Sequence, residues 1–504
     1  MATLKQFTEL SGSLYIDGAY CKSAASDSFE VIDPATEAVI GHIADATDAE
    51  VDTAIERANQ AQRAWNRINM LSRAEQLHEV ASNIRKLQPL LAEAMTREMG
   101  KPYKETADEV LWCASAIDYY AETARNNQGR IMGSSVDGQF HFTLKEPLGV
   151  VVSIQPFNYP LCLLSWQAAA AMATGNAVIV KPSELTSITT LLFMQAFGNL
   201  PDGLFQCITG GGRVGARLCE SRDTHMVAFT GGIETGKAVA RACAENFKPT
   251  LIEASGNDPF IVMPSAPLDR AVRGATFAAY LNCGQVCTSA ERIYVHDSIY
   301  ESFVEQLTAA ARSLRIGNGL DKVDIGPMVS RRERERFEGV LANAVSEGAK
   351  IMTGGKRPEH LPGGWFMEPT VLAEVTPDMA ILNNESFGPV APVCRVADLD
   401  EALELANRSS YGLGATVYTT DMNETMRAMR EIEAGMVWIN APLLDNDAGP
   451  FGGRKMSGMG RELGPEGLET FRQNKLVMID PGASAQDFWW FPYADEESYP
   501  VGRN

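Results

Sequence analysis

The sequence predicts an α/β protein built on parallel sheets, and three observations support this fold class. The chain has 504 residues, which exceeds one ordinary domain, so two or more packed domains are expected. From Leu148 onward, short runs rich in Val and Ile alternate with helical patterns, as in parallel sheets whose strands are buried on both faces. Each run is followed by a polar or glycine-rich segment, so a ligand site is expected at the carboxyl ends of the strands.

The beginning of the chain predicts short strands followed by long helices. Thr47 with Glu50, and Ser72 with Glu75, have the spacing of capping boxes, so a helix is expected to begin at each pair. Apolar residues then recur at helical intervals, which indicates that both helices bury one face.

Five apolar runs predict the strands of the first parallel sheet. They cover residues 150–154, 177–180, 204–208, 226–229 and 251–252. A second α/β segment is expected from near Gly256 to about Asn440.

Composition and charge argue against several classes of protein. The 44 Lys and Arg residues face 64 Asp and Glu, and no basic patch offsets the net charge of −20, so neither nucleic acid nor a membrane surface is an expected partner. The most apolar stretch, 161–173, is broken by Ser165 and Gln167 and is too short to span a bilayer, and the N-terminus lacks a secretory signal. Nine cysteines and six histidines without metal-ligand spacing favour a reduced, cytoplasmic protein with no metal site.

Two glycine-rich segments are candidates for binding phosphate. Residues 210–215 match the pattern G-x-G-x-x-G after an apolar strand, but no strong acidic-residue signature follows on a next strand at the distance typical of a dinucleotide-binding fold. Residues 231–237 resemble a P-loop, yet Ala238 stands where a Ser or Thr hydroxyl would bind Mg²⁺, which argues against an ATPase.

A cation and a carboxylate follow the second predicted strand. Lys181 could meet a phosphate or ribose oxygen, and Glu184 could accept two ribose hydroxyls while repelling a 2′-phosphate. A solvated ion pair in a loop is the alternative.

Cys287, in the segment Asn282-Cys-Gly-Gln-Val-Cys-Thr288, is the candidate nucleophile. A buried Cys is usually inert packing, and this alternative applies to Cys283 and Cys287 taken alone. Asn158, after the first parallel strand, could donate its amide to a developing oxyanion, and Glu253, at the end of another strand, could serve as a base.

Seven motifs in order make the chain resemble the NAD(P)-dependent aldehyde dehydrogenases along essentially its whole length. They are Pro156-Phe-Asn158-Tyr-Pro160, Lys181-Pro-Ser-Glu184, Phe229-Thr-Gly-Gly-Ile-Glu-Thr-Gly236, Glu253-Ala-Ser-Gly256, Gly284-Gln-Val-Cys287, Glu385-Ser-Phe-Gly-Pro389, and Pro450-Phe-Gly-Gly453 followed by Ser457-Gly458.

The resemblance implies a subunit of three parts. A Rossmann-type cofactor domain would comprise residues 1–128 and 148–255, an α/β catalytic domain 256–455, and a small β oligomerisation arm with a C-terminal tail 129–147 and 470–504. The arm is expected to pair with the C-terminal strand near residues 476–479 across subunits of a homodimer or homotetramer. The aromatic tail, 488–493 with Tyr499, is expected to dock on a neighbouring subunit or on its own.

The resemblance also implies the reaction, which is oxidation of a small aldehyde to a carboxylic acid with NAD, NADP being the alternative. Cys287 would attack the aldehyde, the Asn158 amide would stabilise the oxyanion, and Glu253 would activate the water that hydrolyses the thioester. The implied cofactor contacts are Ile154, Pro156, Lys181, Glu184, Gly215, Gly231, Gly232, Gly236, Glu385 and Phe387. Position relative to the motifs assigns Tyr159, Leu163, Trp166, Val286, Thr288, Leu444, Asp445 and Phe451 to the aldehyde tunnel.

Several questions stay open at this level. A CoA-acylating enzyme is one alternative, against which Glu253 argues, and a catalytically silent relative is another.

Tyr159 and Trp166 with Asp445 and Asp447 would suit a cationic aldehyde, whereas a general aromatic tunnel for uncharged aldehydes is the simpler interpretation. Gly232 departs from the family pattern, in which many relatives have Ser, but no group that the mechanism requires is missing.

Overall fold

The structure, a computed structural model, describes residues 2–126 and 128–483. Its N-terminal part contains two strand pairs, three long helices and the strands of a small arm. In chain order these elements are α1 (Ala2–Leu10), β1 (Ser13–Ile16), β2 (Ala19–Lys22), β3 (Ser28–Ile32), β4 (Val39–Ala44), α2 (Asp48–Trp65), α3 (Met70–Met99), α4 (Tyr103–Asn126), β5 (Ile131–Met132) and β6 (Phe140–Pro147).

One of the two predicted capping boxes forms. The Thr47 hydroxyl accepts the Glu50 N–H and the Glu50 carboxylate accepts the Thr47 N–H, so α2 begins as expected. The prediction that Ser72 caps the next helix was wrong, because Asn69 accepts the Ser72 N–H at 3.0 Å and α3 begins at Met70.

The middle of the chain alternates strands and helices. The elements are β7 (Val150–Ile154), α5 (Cys162–Ala173), β8 (Ala177–Lys181), α6 (Ser187–Phe193), β9 (Phe205–Cys207), α7 (Gly212–Glu220), β10 (Met226–Thr230), α8 (Ile233–Ala244) and β11 (Thr250–Glu253). Strands β7 to β11 coincide with the five predicted runs to within one residue at each end, which confirms the prediction.

The C-terminal half repeats this alternation in a second unit. Its elements are β12 (Asp258–Val262), α9 (Leu268–Tyr280), β13 (Ala290–His296), α10 (Tyr300–Ser313), α11 (Arg331–Ser346), β14 (Lys350–Thr353), β15 (Thr370–Val375), β16 (Val390–Val396), α12 (Leu399–Arg408), β17 (Thr416–Tyr418), α13 (Met422–Glu431) and β18 (Trp438–Ile439). The chain ends its described part with β19 (Gly458–Met459), α14 (Gly464–Thr470) and β20 (Arg472–Ile479).

Two large sheets organise the described residues. The first has the order β19-β11-β10-β7-β8-β9-β1-β2, and its strands β7 to β11 are parallel. Every residue of β7, β8 and β10 is buried, because helices pack on both faces of this sheet. The second sheet has the order β14-β15-β16-β13-β12-β17-β18, with only β14 antiparallel, and it carries its own hydrophobic core. The limits of the domains stay a prediction.

The small arm is a three-stranded antiparallel sheet in the order β20-β6-β5. Strand β20 pairs with β6 from Arg472 opposite Pro147 to Ile479 opposite Phe140. This pairing was expected across subunits, and that expectation was wrong, because both strands belong to one chain. The reason is local: α14 packs on α4 and α5 and delivers the following strand to the arm, where Lys145 and Glu469 form an ion pair of 2.5 Å.

Two further observations concern the predictions about a membrane span and about the C-terminal tail. No helix among residues 2–126 and 128–483 combines the length and apolarity needed to cross a membrane. The aromatic tail, 488–493 with Tyr499, lies outside the described residues.

Candidate active site

The carboxyl ends of four parallel strands meet at one edge of the first sheet. Thr230 of β10 pairs with Glu253 of β11, and Ile154 of β7 lies between Phe229 and Lys181 of the neighbouring strands. This register places the segments after each strand side by side, as the sequence predicted.

A cavity of about 300 Å³ opens at this edge. Its lining residues are Pro156, Phe157, Asn158, Thr230, Gly231, Gly232, Glu253, Ala254, Ser255, Cys287, Glu333, Arg336, Glu385 and Phe387. The structure therefore brings together the three predicted catalytic residues and five of the predicted cofactor contacts.

Four of the five remaining predicted cofactor contacts form a second group beside the start of α7. Lys181 Nζ donates to the Gly210 carbonyl at 2.7 Å and lies 3.6 Å from Glu184 Oε1. A Cβ on Gly215 would contact the Lys181 side chain at 3.4 Å and Ile154 at 3.9 Å. Gly236 lies apart from both groups, in α8 against Phe229 and Ile252, where it allows the helix to approach the sheet.

A second cavity, of about 60 Å³, lies on the other side of Cys287. Its lining residues are Trp112, Tyr159, Cys162, Leu163, Trp166, Leu281, Val286, Cys287, Thr288, Leu443, Asp445 and Phe451. All predicted tunnel residues except Leu444 are among them. Leu444 lies outside this cavity: the residue is 69% exposed, and Leu443, whose φ is 56°, lines the cavity instead.

The loop that carries Cys287 has an unusual backbone. Asn282, Cys283 and Gly284 have φ values of 50°, 56° and 71°, the left-handed region that non-glycine residues seldom adopt. Side-chain hydrogen bonds hold this conformation: Asn282 Nδ2 donates to the carbonyls of Asn158 at 3.3 Å and Gln285 at 3.1 Å.

Asn158 is bound to the same loop. Its Nδ2 donates to the Gln285 carbonyl at 3.1 Å, and its side chain lines the first cavity together with Cys287. An amide NH₂ has two hydrogens, so the second can serve an oxyanion formed at Cys287.

Glu253 lies in an environment that favours its protonated form. The side chain is 2% exposed, and neither carboxylate oxygen meets a donor at ordinary hydrogen-bond geometry among the described residues. Burial raises the pKa of Glu253 well above its usual value, the charge of Glu462 raises it further, and contact with the Cys287 thiol lowers it. Burial and the Glu253 charge also raise the pKa of Cys287, so the two groups compete for one negative charge.

The comparisons with known proteins agree with this geometry. The model of the aldehyde dehydrogenase family matches residues 20–477. The chain belongs to the aldehyde dehydrogenase family. The family expected from the seven motifs, and with it the aldehyde dehydrogenase fold, is confirmed, and so is the class of enzyme, an oxidoreductase that acts on aldehydes.

Relatives in the family act on differently charged aldehydes. A glutarate-semialdehyde dehydrogenase of Pseudomonas aeruginosa is 36% identical over 473 residues, which is 92% of this chain and 97% of the relative. A peroxisomal aminoaldehyde dehydrogenase of Malus domestica is 37% identical over 476 residues, 92% of this chain and 95% of the relative. The structure of betaine aldehyde dehydrogenase from Staphylococcus aureus in complex with NAD⁺ superposes with a TM-score of 0.94 at 33% identity, covering 97% of this chain and 99% of that one.

A polar network behind Glu253 was not predicted. Glu462 Oε1 accepts a hydrogen bond of 2.5 Å from Gln167, which also donates to Thr230 Oγ1 at 3.2 Å. Burial raises the pKa of Glu462 to about 7. The only sequence signal was the break that Gln167 makes in the apolar stretch 161–173.

The turn that carries Glu385 and Phe387 is also held by residues that the sequence analysis missed. Glu385 Oε1 accepts the Gly256 N–H at 3.1 Å, while Glu291 accepts the N–H groups of Ser386 and Phe387, each at 2.7 Å. Burial raises the pKa of Glu291 to about 7. Within the described ranges, no group of three or more His, Cys, Asp and Glu side chains is placed to hold a metal ion.

Proposed function

We propose that Cys287, Asn158 and Glu253 oxidise an aldehyde to a carboxylic acid with NAD. The observation that carries this proposal is the position of Cys287 on the wall of both cavities, with Asn158 and Glu253 beside it. One cavity can then hold the nicotinamide and the other the aldehyde, with the thiol between them.

The residues around the first cavity fit a dinucleotide. Helices α7 and α8 begin after Gly211 and Gly232, neither start has a side-chain cap, and a Cβ on Gly232 would meet no atom within 4 Å. Uncapped N–H groups at a helix start favour a pyrophosphate, and Glu385 is placed to accept the hydroxyls of the nicotinamide ribose. When bound, NAD supplies the acceptor for the hydride.

The chemistry at the protein follows from the three side chains. The Cys287 thiolate bonds to the aldehyde carbon, and the Asn158 amide with the Cys287 N–H stabilises the oxyanion. Loss of hydride leaves a thioester on Cys287. Glu253 then takes a proton from water, the hydroxide adds to the thioester, the thiolate leaves and the carboxylic acid is released.

Glu184 favours NAD over NADP. Its carboxylate lies 3.6 Å from Lys181 beside Gly211, where an added phosphate on the adenosine ribose would meet a like charge. We expect kcat/KM to be higher with NAD than with NADP. The substitution Glu184→Gln should reduce the ratio of these two values. A preference of the unaltered protein for NADP would contradict this assignment.

The second cavity favours uncharged or cationic aldehydes. No Lys or Arg lines it, and the aromatic rings of Tyr159, Trp166 and Phe451 surround the space. Burial, with Asp447 nearby, raises the pKa of Asp445 to about 7. A cationic substrate would favour the charged form of Asp445 and stack on the rings, whereas a carboxylate would meet no Lys or Arg in this lining.

A panel of aldehydes tests both the reaction and the charge preference. NADH formation is measured with trimethylammonioacetaldehyde against its neutral isostere tert-butylacetaldehyde, and with glutarate semialdehyde against hexanal. A preference of about tenfold for the cation would favour a charge-specific site, and equal rates a general aromatic tunnel. Highest activity with the semialdehyde would contradict the charge argument.

The same panel, run with and without CoA, separates the alternative functions. Hydrolysis by Glu253 predicts NADH formation that is independent of CoA. Strict dependence on CoA would indicate an acylating enzyme, and no reduction with any aldehyde would indicate a catalytically silent protein.

A further inference from the structure

A buried lysine with two glutamates lies directly behind the aldehyde cavity. Lys101 Nζ lies 2.6 Å from Glu109 Oε2, and both side chains are fully buried. The same ammonium group lies 3.5 Å from the centre of the Tyr159 ring, which lines the cavity. Neither Lys101 nor Glu109 takes part in the proposed chemistry, although burying such a pair is unfavourable unless its polar atoms are well satisfied.

Glu109 connects this lysine to the segment that carries Asn158. Its second oxygen, Oε1, accepts the N–H groups of Leu161 and Cys162, each at 3.1 Å. These two N–H groups, three and four residues after Asn158, are at the start of α5. The helix has no side-chain cap from its own N-cap residue. Glu109 therefore caps α5 from another helix and fixes the backbone on which Asn158 stands.

Glu105 lies one turn before Glu109 on α4 and binds the loop that carries Cys287. Glu105 Oε2 accepts the N–H of Asn282 at 3.0 Å, the first of the three residues in the left-handed conformation. Burial raises the pKa of Glu105 to about 7, and the positive charge of Lys101 acts in the opposite direction. The charge of Lys101 thus favours the ionised form of the acceptor that holds the strained loop.

We propose that Lys101 is a positioning residue for the oxyanion site. Glu105 and Glu109 stand one turn apart on α4. Through these two glutamates, Lys101 holds the segment of Asn158 and the loop of Cys287 at a fixed separation. This inference rests on the proposed function, because it concerns the step in which Cys287 and Asn158 act together. Binding of NAD, on the other side of Cys287, does not depend on it.

Lys101→Met tests the inference in a single-turnover experiment with enzyme in excess over aldehyde. We expect the rate constant of NADH formation to fall about tenfold to a hundredfold, because a small displacement of reacting groups has effects of this size. The KM for NAD should stay within about twofold. Lys86→Met, the same substitution at an exposed lysine of α3, is the control and should leave both quantities unchanged.

Two outcomes would overturn the inference. A merely structural role for Lys101 would lower the yield of folded protein and leave the rate constant, measured with enzyme still in excess over aldehyde, unchanged. An equal rise in KM for NAD and aldehyde would show a general distortion.

Two milder variants apply if Lys101→Met does not fold. Glu109→Gln and Glu105→Gln keep an acceptor for the backbone N–H groups and remove the charge that Lys101 binds. We expect at least one of them to lower the single-turnover rate constant about fivefold or more, while the KM for NAD is unchanged. Unaltered rate constants in both would overturn the inference.

A second measurement separates this inference from the proposed function. Alkylation of Cys287 by iodoacetamide, followed by mass spectrometry of its peptide, requires neither aldehyde nor NAD. A changed alkylation rate in Lys101→Met supports positioning of the loop even if the unaltered protein oxidises no aldehyde. An unchanged rate, together with unchanged turnover, contradicts it.

Discussion

Cys287 is the one side chain in the described structure that borders both the cavity proposed for the nucleotide and the cavity proposed for the aldehyde. Replacing it with Ala removes the covalent step but leaves the glycines, Glu184 and Glu385 in place. We expect Cys287→Ala to abolish aldehyde oxidation and to change the Kd for NAD by no more than about twofold, measured by calorimetry. Loss of NAD binding would contradict the assignment of Cys287 as the nucleophile.

Glu253 is expected to serve the hydrolysis of the thioester, which follows hydride transfer. Glu253→Gln should therefore give a rapid first turnover of NADH and a steady state slowed about a hundredfold or more, observed by stopped flow. Because the pKa values of Glu253 and Cys287 are linked, the alternative is that Glu253 also activates the thiol. In that case the first turnover and the steady state would slow together.

The pH dependence of the steady state should report on Glu253. The residue is a base only when ionised, and burial together with Glu462 raises its pKa, so kcat should fall as the pH is lowered through that raised pKa. Glu462→Gln keeps an acceptor for Gln167 but removes the neighbouring charge, and should move the acid limb of kcat to lower pH by about one unit. If the acid limb of kcat stays at the same pH in Glu462→Gln, a group other than Glu253 determines it.

At the scale of the elements, the segment between β11 and β12 has to pass very close to the loop that carries Cys287. A Cβ on Gly256 would lie 1.8 Å from the carbonyl oxygen of Cys287, and this neighbour is backbone, which cannot move aside. Gly256→Ala should therefore lower kcat/KM about a hundredfold or more. Gly339→Ala in α11 is the control, because no atom lies within 4 Å of its added Cβ and Ala favours a helix.

The helix starts show how local signals can compete. At Thr47 and Glu50 both reciprocal hydrogen bonds of the box form, so the pattern predicted the start of α2 correctly. At Ser72 and Glu75 the same spacing failed, since Asn69 lies earlier in the chain and its side-chain oxygen Oδ1 already accepts the Ser72 N–H. Where two candidate caps compete, the first one able to satisfy the N–H groups determines the start.

At the scale of the whole molecule, the arm leaves apolar side chains in solvent. Ile131, Phe140, Leu476 and Met478 are exposed on the sheet of β5, β6 and β20, which supports an interface with another subunit. The aromatic tail, 488–493 with Tyr499, follows this sheet in the sequence and lies beyond the described residues. Its apolar surface favours docking by about 25 cal/mol per Å² buried.

We expect truncation after Gly482 to weaken assembly in sedimentation velocity. If the tail docks near the aldehyde tunnel of a neighbouring subunit, the KM for aldehyde should change more than the KM for NAD. Reduced stability of the subunit with unchanged assembly would instead indicate that the tail packs on its own chain. If both assembly and kinetics are unchanged by the truncation, the tail has a role neither in assembly nor at the aldehyde tunnel.

The parallel strands, the candidate nucleophile and the candidate base could be predicted from the sequence because their signals are local. A strand buried on both faces requires a continuous apolar run, and β7, β8 and β10 are such runs. Cys287, Glu253 and Asn158 stand at strand ends or in short motifs whose order along the chain identifies the family.

Other features depend on pairs that are remote in the sequence, and only the tertiary structure decided them. Glu109 meets the start of α5 across 52 positions and Gln167 meets Glu462 across 295, with no periodicity to indicate either contact. The raised pKa values of Glu253 and Glu105 likewise follow from burial and neighbouring charge. Only the tertiary structure showed that β20 pairs with β6 of its own chain. The sequence could not distinguish this from pairing between subunits, because the antiparallel register of the two strands is the same in both cases.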